Sequence, residues 1–390
     1  MDKIFGKQKK PYIRFIIIAA IAVILVAASI AGVLLMKNDK TASKKSSKTA
    51  SVTQKVNETT RAAVVKETTA ASSESAATTP ETQAPNNPGA SNSNLSGYLH
   101  TSGNKLVDGS GNVVQLRGVS THGISWFPEY VNYDAFASLK NDWGANVVRL
   151  AMYPAEYNGY LTGGDKNALK QIIDNGVNYA TQLGMYVIID WHVLNYQPSQ
   201  YTSQACEFFA EMASKYSGHN NVIYEICNEP VGADWNSNIK PYAETVINTI
   251  RQYDDHALIL VGTNTWSQDV DAVVGNALSD SNVMYVLHFY AATHKDNIRN
   301  KLQTALNAGL PVFVSECSIC DASGNGGIDY DSANTWLNYM NSNDISFIAW
   351  SLCNKNETSA LIAPWCNKLS GWSDDELSET GRWFKTAIKR

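Results

Sequence analysis

The chain has 390 residues, with 31 Lys/Arg against 36 Asp/Glu and 44% hydrophobic residues. That length exceeds one ordinary domain unless the domain is a barrel. Residues 1–96 carry 13 Lys/Arg against 6 Asp/Glu and the remainder 18 against 30, so the larger part is acidic, which argues against nucleic acid as its partner.

In chain order, the first feature is Phe15 to Met36, a charge-free run of mostly Ile, Ala, Val and Leu preceded by Lys3, Lys7, Lys9, Lys10 and Arg14. It is long enough to cross a bilayer as one helix. Ser29-Ile30-Ala31 would also suit a signal-peptide cleavage site, but the apolar run continues through Met36. A retained anchor over 1–36 is therefore the preferred reading, with a cleaved signal as the alternative. Either one puts the rest of the chain on the extracellular face of the membrane or in the medium. Residues 37–96 are rich in Ser, Thr, Ala and Lys and contain Pro80, Pro85 and Pro88 but no Trp, Tyr, Phe or Cys before Ser96. Such a segment cannot bury enough apolar area to offset its ordering entropy. It is expected to be a disordered linker, reaching on the order of 40–50 Å as a random coil.

The globular part, 97–390, opens with a hairpin signal: Leu106-Val107, the turn Asp108-Gly109-Ser110-Gly111, then Val113-Val114. Eight apolar runs rich in β-branched residues follow, at 113–119, 146–153, 185–192, 222–229, 257–263, 283–290, 311–316 and 345–351. Continuous apolar runs suit parallel strands covered on both faces. Between them lie stretches with helical periodicity such as Ala168 to Leu183, and Gly144, Gly184, Gly218 and Gly309 stand where helices should end. The expected fold is an α/β (β/α)8 barrel with an N-terminal β-hairpin. A doubly wound sheet is the rival, but no glycine-rich phosphate loop follows the first strand.

In such a barrel all strand C-termini meet at one mouth, and here they carry polar and aromatic groups. They include Ser120-Thr121-His122, Arg149, Tyr153, Asp190-Trp191-His192, Asn228-Glu229, His288, Tyr290, Glu316 and Trp350. Any one of these could be structural, and a strand-end glutamate could simply form a salt bridge. Two glutamates, Glu229 and Glu316, at one mouth supply the acid/base and the nucleophile that glycosidic-bond hydrolysis needs. Arg149 and Tyr290 would hold Glu316 ionised, and His192 and His288 would orient rather than act as bases. The amide of Asn228 would donate to a sugar hydroxyl. All ten tryptophans lie in the globular part; Trp126 and Trp350 sit at strand ends, while Trp143, Trp336 and Trp383 fall in helical stretches and are expected in the core. A metal hydrolase is the rival chemistry, but no His-x-His follows the first strand and no His-Glu-x-x-His is present, so neither metal nor cofactor is expected. The six cysteines, Cys206, Cys227, Cys317, Cys320, Cys353 and Cys366, allow disulfides in an exported protein, with Cys353–Cys366 the preferred pair.

With those residues in view, 97–390 resembles glycoside hydrolase family 5, in particular its bacterial endo-β-1,4-glucanases. The resemblance rests on Leu116-Arg-Gly-Val-Ser-Thr-His-Gly123, Asn141 to Tyr153, Val187 to His192, Tyr224-Glu-Ile-Cys-Asn-Glu-Pro230, His288-Phe-Tyr290, Ser315-Glu316, Asp321 to Gly327 and Ala349 to Glu357. It implies a retaining mechanism with Glu229 as acid/base and Glu316 as nucleophile. It further implies an active-site shell of Arg149, His192, Asn228, His288, Tyr290 and Trp350, and a glycone-side lining of His122, Trp126, Tyr153, Ala322, Lys355 and Glu357. A β-glucan substrate follows from the same resemblance, and a monomer with no cofactor is expected. Cys317-Ser318 stands after Glu316, where the family usually has an aromatic residue and a glycine. Asn356-Glu357-Thr358 is a glycosylation sequon inside the expected cleft, so the host is expected not to modify it. The alternatives are a β-mannanase, a xyloglucanase or mixed-linkage glucanase, or a non-catalytic surface glycan-binding protein.

Overall fold

The computed structural model describes residues 95–389. The apolar segment Phe15 to Met36 and nearly all of the expected linker lie outside the described residues. Among the described residues, no helix is long and apolar enough to cross a membrane.

An antiparallel hairpin, β1 (His100–Ser102) and β2 (Lys105–Val107), precedes eight parallel strands. These are β3 (Arg117–Thr121), β4 (Val147–Met152), β5 (Tyr186–Trp191), β6 (Val222–Glu225), β7 (Leu258–Val261), β8 (Val283–Tyr290), β9 (Val312–Ser318) and β10 (Phe347–Leu352). Each pairs with the next, and β10 closes on β3. The connections carry α1 (Tyr133–Trp143), α2 (Lys166–Leu183), α3 (Thr202–Tyr216), α4 (Lys240–Arg251), α5 (Asp296–Asn307) and α6 (Tyr330–Ser342), with α7 (Glu379–Ile388) after β10. Only the β7–β8 connection lacks a long helix; it holds short helical turns at Asn264–Ser267 and Val270–Val273.

The eight expected runs all became barrel strands, with shifted ends. The first begins at Arg117 rather than Val113, because Val113 is exposed and joins Val107 by a single antiparallel bridge. The fourth stops at Glu225, so Asn228 and Glu229 lie beyond the strand, and Glu229 pairs in a lone parallel bridge with Leu194. The seventh runs past Glu316 to Ser318.

Side-chain parity fixes what the barrel contains. On β4, Val147, Arg149 and Ala151 face inward, while Val148, Leu150 and Met152 join the helix-facing core. The inner apolar layer includes Val147, Ile188, Ile223, Leu260, Val286, Phe313 and Ile348, and Leu99 and Leu106 from the hairpin segment pack onto it. Trp143 and Trp336 are buried in the outer core as expected, and Trp383 packs on its edge.

Gly144 and Gly184 close α1 and α2 with φ of 76° and 65°, where a side chain would be strained. Gly218 does not play this part, because α3 ends at Tyr216 and its cap Ser217 is right-handed. The preferred Cys353–Cys366 disulfide is also absent, and all six cysteines are free thiols. The intervening loop is held instead by the Asn354 amide donating to the Cys366 carbonyl at 3.0 Å.

Candidate active site

The site is organised around Arg149, fully buried in β4. Its Nε donates to Glu225 Oε2 at 2.7 Å, and its Nη2 donates to Glu225 Oε1 at 3.1 Å and to Asn228 Oδ1 at 2.7 Å. Asp190 Oδ2 lies 3.0 Å from Nη2, and Glu316 Oε2 lies 3.5 Å from Nη1. A buried guanidinium survives only if paired. Burial alone would lower its pKa, but Asp190 and Glu225 outweigh burial and raise it. The main partner of Arg149 is thus Glu225, with Glu316 at the edge of its reach. Glu225 is hidden in the sequence because it sits inside an otherwise apolar run; a lone carboxylate within such a run was the available signal. Asp190 was seen only as one of many polar strand ends. It bridges Arg149 to His192 Nδ1, the latter at 2.6 Å, and burial lifts its pKa to about 7.

Glu229 and Glu316 face one another across this network. One carboxylate oxygen from each, and a ring nitrogen of His288, all lie within 4.8 Å of one another. Burial, opposed by Arg149 and reinforced by Asp190 and Glu225, raises the Glu229 pKa to about 8. Burial and then Glu229 raise Glu316 to about 7, with His288, Arg149 and Tyr290 pulling it down. Tyr290 Oη donates to Glu316 Oε1 at 2.8 Å, while Oε2 makes no hydrogen bond. Burial and mutual repulsion push all four carboxylates around this guanidinium upward, which favours a shared proton among them, and Glu229 is raised into the range a general acid needs.

A β-bulge in β9 puts Glu316 there. Val286 pairs with Phe313 and His288 with Glu316, so β9 uses three residues where β8 uses two, and both Ser315 and Glu316 turn inward. Cys317 then resumes the outward direction; it is buried and its Sγ lies 3.4 Å from the Ile348 carbonyl, so a small residue fills the space behind Glu316.

The remaining expected residues form the walls. Tyr153 and His192 have ring centroids 4.1 Å apart, His192 stacks on Trp350 at 5.2 Å, and Trp126 lies 4.5 Å from Tyr153. A Cβ on Gly123 would come within 2.7 Å of Trp126 and 2.9 Å of Tyr153, so only glycine lets these rings close. Lys355 Nζ lies 2.6 Å from Glu357 Oε2, and His122 Nε2 lies 3.7 Å from Glu357 Oε1. Asn228 is held in place by one amide proton donated to the Val193 carbonyl at 3.0 Å and by its oxygen accepting from Arg149, which leaves its second amide proton for the expected sugar hydroxyl.

Beside Glu229 lies a cavity of about 510 Å³, lined by Glu229, His288, Tyr290 and Ala322 together with Leu194, Asn195, Trp266 and His294. These last four were not anticipated. Trp266 stands on left-handed backbone (φ 54°), is 40% exposed, and is pinned by its Nε1 donating to Asn195 Oδ1 at 2.8 Å. Its place just after the fifth apolar run was the signal that could have found it.

Among the described residues, two clusters have the side chains for a cation. In His122, Cys353 and Glu357 the His122 Nδ1 already accepts from the Gly123 N–H at 2.7 Å, so a neutral ring keeps its proton on Nε2, facing the cluster. In Glu229, His288 and Glu316 both imidazole nitrogens are engaged by Glu229 and Ser315 at 2.9 Å. Neither donor set offers an imidazole lone pair to a metal without breaking an existing bond.

The paired carboxylates at a barrel mouth agree with what the chain resembles among known proteins. Residues 107–356 match the family described as cellulase (glycosyl hydrolase family 5). The chain belongs to glycoside hydrolase family 5. It is 43% identical over 303 residues to an endoglucanase of Clostridium saccharobutylicum, covering 77% of this chain and 66% of that protein. It is 47% identical over 299 residues to endoglucanase A of Butyrivibrio fibrisolvens, covering 75% and 69%. The chain therefore spans about two thirds of the length of these relatives. Among solved structures, the catalytic domain of Thermobifida fusca endoglucanase Cel5A matches with a TM-score of 0.72 and 36% identity, over 75% of this chain and 97% of that one. Cellulase Cel5C_n matches with a TM-score of 0.73 and 40% identity, over 78% and 95%.

Proposed function

We propose that this glycoside hydrolase is an endo-β-1,4-glucanase that acts with retention, as a monomer, with Glu316 as nucleophile and Glu229 as acid/base. The observation that supports retention is that one carboxylate oxygen of Glu229 lies within 4.8 Å of one of Glu316, too close to leave room for a water between them. Retaining enzymes hold their carboxyls about 5–5.5 Å apart, whereas inverting ones leave about 6.5–9.5 Å for a water. Glu316 offers the buried oxygen Oε2 with no hydrogen bond, while Tyr290 holds the other oxygen. Attack at the anomeric carbon breaks the glycosidic C–O bond as Glu229 gives its proton to the departing oxygen. In the second step the Glu229 carboxylate takes a proton from water, and the water oxygen displaces Glu316 from the sugar. Tyr153, Trp126 and Trp350 supply flat apolar faces for sugar rings, and Lys355, Glu357 and His122 supply polar contacts on the glycone side. The endoglucanase names of the relatives above support a cellulose-type substrate.

The test is reducing-sugar release from carboxymethylcellulose by the parent, Glu229→Gln and Glu316→Gln. Loss of several orders of magnitude in kcat with unchanged fold is expected for both. An α-glycosyl azide from Glu316→Ala in azide supports the nucleophile role, and a β-azide from that variant reverses the two roles. Oligosaccharide binding without any release would instead indicate a glycan-binding protein. A product profile on β-glucans, xyloglucan and mannan ranks the substrates. We also propose that the 1–36 segment tethers the enzyme to the outer face of the membrane. Release into the soluble fraction on carbonate extraction would refute the tether.

A further inference from the structure

The bulge that brings Glu316 inward also brings in Ser315, which is fully buried and has no part in the reaction described above. Its Oγ donates to Glu225 Oε1 at 2.6 Å and lies 2.9 Å from His288 Nε2. The other ring nitrogen, Nδ1, lies 2.9 Å from Glu229 Oε1. A continuous chain therefore runs Arg149, Glu225, Ser315, His288, Glu229.

A serine hydroxyl has one proton to donate. Glu225, fixed by two bonds from Arg149, takes it. The Ser315 oxygen is left as an acceptor, so a neutral His288 carries its proton on Nε2 and turns the Nδ1 lone pair toward Glu229. Only a protonated Glu229 satisfies that lone pair; a carboxylate at 2.9 Å would face it lone pair to lone pair.

We propose that Ser315 is a positioning residue that holds His288 as its Nε2–H tautomer and thereby keeps Glu229 protonated in the free enzyme. This rests on the reading of Glu229 as the acid/base. Other groups bear on Glu229 as well: Arg149 on β4, Asp190 on β5, Glu225 on β6, Tyr290 on β8, Glu316 on β9, and Tyr153 just beyond β4. Burial lowers the His288 pKa to about 4, which agrees with a neutral ring. After the first step, the carboxylate opposite an unprotonated nitrogen is a stronger base for drawing the proton from water.

The test compares Ser315→Ala with Ser315→Thr through the pH dependence of kcat/KM, whose alkaline limb reports the acid in the free enzyme. Without the hydroxyl, Nε2–H loses its acceptor, and the Nδ1–H tautomer that donates to a carboxylate is favoured. The alkaline limb of Ser315→Ala is expected to move down by about one pH unit, while Ser315→Thr, which keeps the hydroxyl, stays with the parent. Ring ¹⁵N shifts of His288 should report Nε2–H in the parent and Nδ1–H in Ser315→Ala. Should Ser315→Ala not fold, Ser315→Cys, with its weaker donor and acceptor, is expected to shift the limb partway. An unmoved limb and tautomer in Ser315→Ala, or equal shifts in the Ala and Thr variants, overturns the proposal. Glu229→Gln separates the two claims. If that variant keeps the alkaline limb, the acid/base reading itself fails. If it loses the limb while Ser315→Ala does not move it, only the role of Ser315 fails.

Discussion

Replacing Glu225 by glutamine tests the buried charge network without changing its shape. Glu225 and Arg149 are both fully buried and joined at 2.7 and 3.1 Å. A glutamine oxygen can accept from one of the two guanidinium nitrogens, but its NH₂ then faces the other, donor to donor. Breaking a buried pair on one side costs about 3–5 kcal/mol. Two effects favour the low end: Asp190 at 3.0 Å and Glu316 at 3.5 Å still compensate the guanidinium, and one buried carboxylate no longer has to be desolvated. With an unfolding entropy of about 2 cal/mol/K per residue over roughly 300 residues, about 3 kcal/mol lowers Tm by about 5 °C. Thermal unfolding followed by calorimetry or near-UV circular dichroism measures it. Asp344→Asn is the control, because the Lys105–Asp344 pair at 2.7 Å is 33% and 47% exposed, and its loss should shift Tm by less than about 1 °C. A Glu225→Gln melting point as close to the parent as that of the control would refute the claim that this pair holds the barrel mouth together.

Three further outcomes are expected. The Glu229 pKa is raised in the folded state to about 8, so stability gained from its buried neutral form is complete at low pH and is lost as pH rises through about 8. Glu229→Gln, which has no proton to lose, should therefore melt above the parent at pH 9 and close to it at pH 4; parallel melting curves against pH would contradict this. Trp266→Ala should raise KM about three- to tenfold on cello-oligosaccharides long enough to pass Glu229 into the adjoining cavity, and leave short aryl glycosides unchanged. Lys355→Ala removes a charged donor from the glycone side and should raise KM about tenfold with kcat nearly unchanged, measured on soluble cello-oligosaccharides.

The barrel was legible because a parallel strand buried on both faces reads as an unbroken apolar run, and eight such runs appeared in order. The same property hid what lay inside. In Val222–Glu225 and Tyr186–Trp191 nothing in the composition says which residues face inward, so Glu225 reads as a member of an apolar strand and Asp190 as one of many polar strand ends. Strand ends were the least legible, since the hydrophobic run Val222 to Cys227 outlasts the hydrogen-bonded ladder that stops at Glu225. The cysteine spacing predicts a Cys353–Cys366 pair, but both thiols are free, because spacing across a loop does not fix where the sulfurs lie, and that loop is closed by an amide instead.

By itself the sequence determined the eight-unit barrel, the mouth at which Glu229 and Glu316 would meet, and the aromatic and polar residues expected around them. These follow from local periodicity and from residue type at strand ends. Only the tertiary structure decided that Arg149 belongs chiefly to Glu225, that a bulge turns Ser315 and Glu316 the same way, and that Trp266 lines the cavity beside Glu229. Those are questions of distance and burial between residues far apart in the chain, because the strands are brought side by side only when the barrel closes.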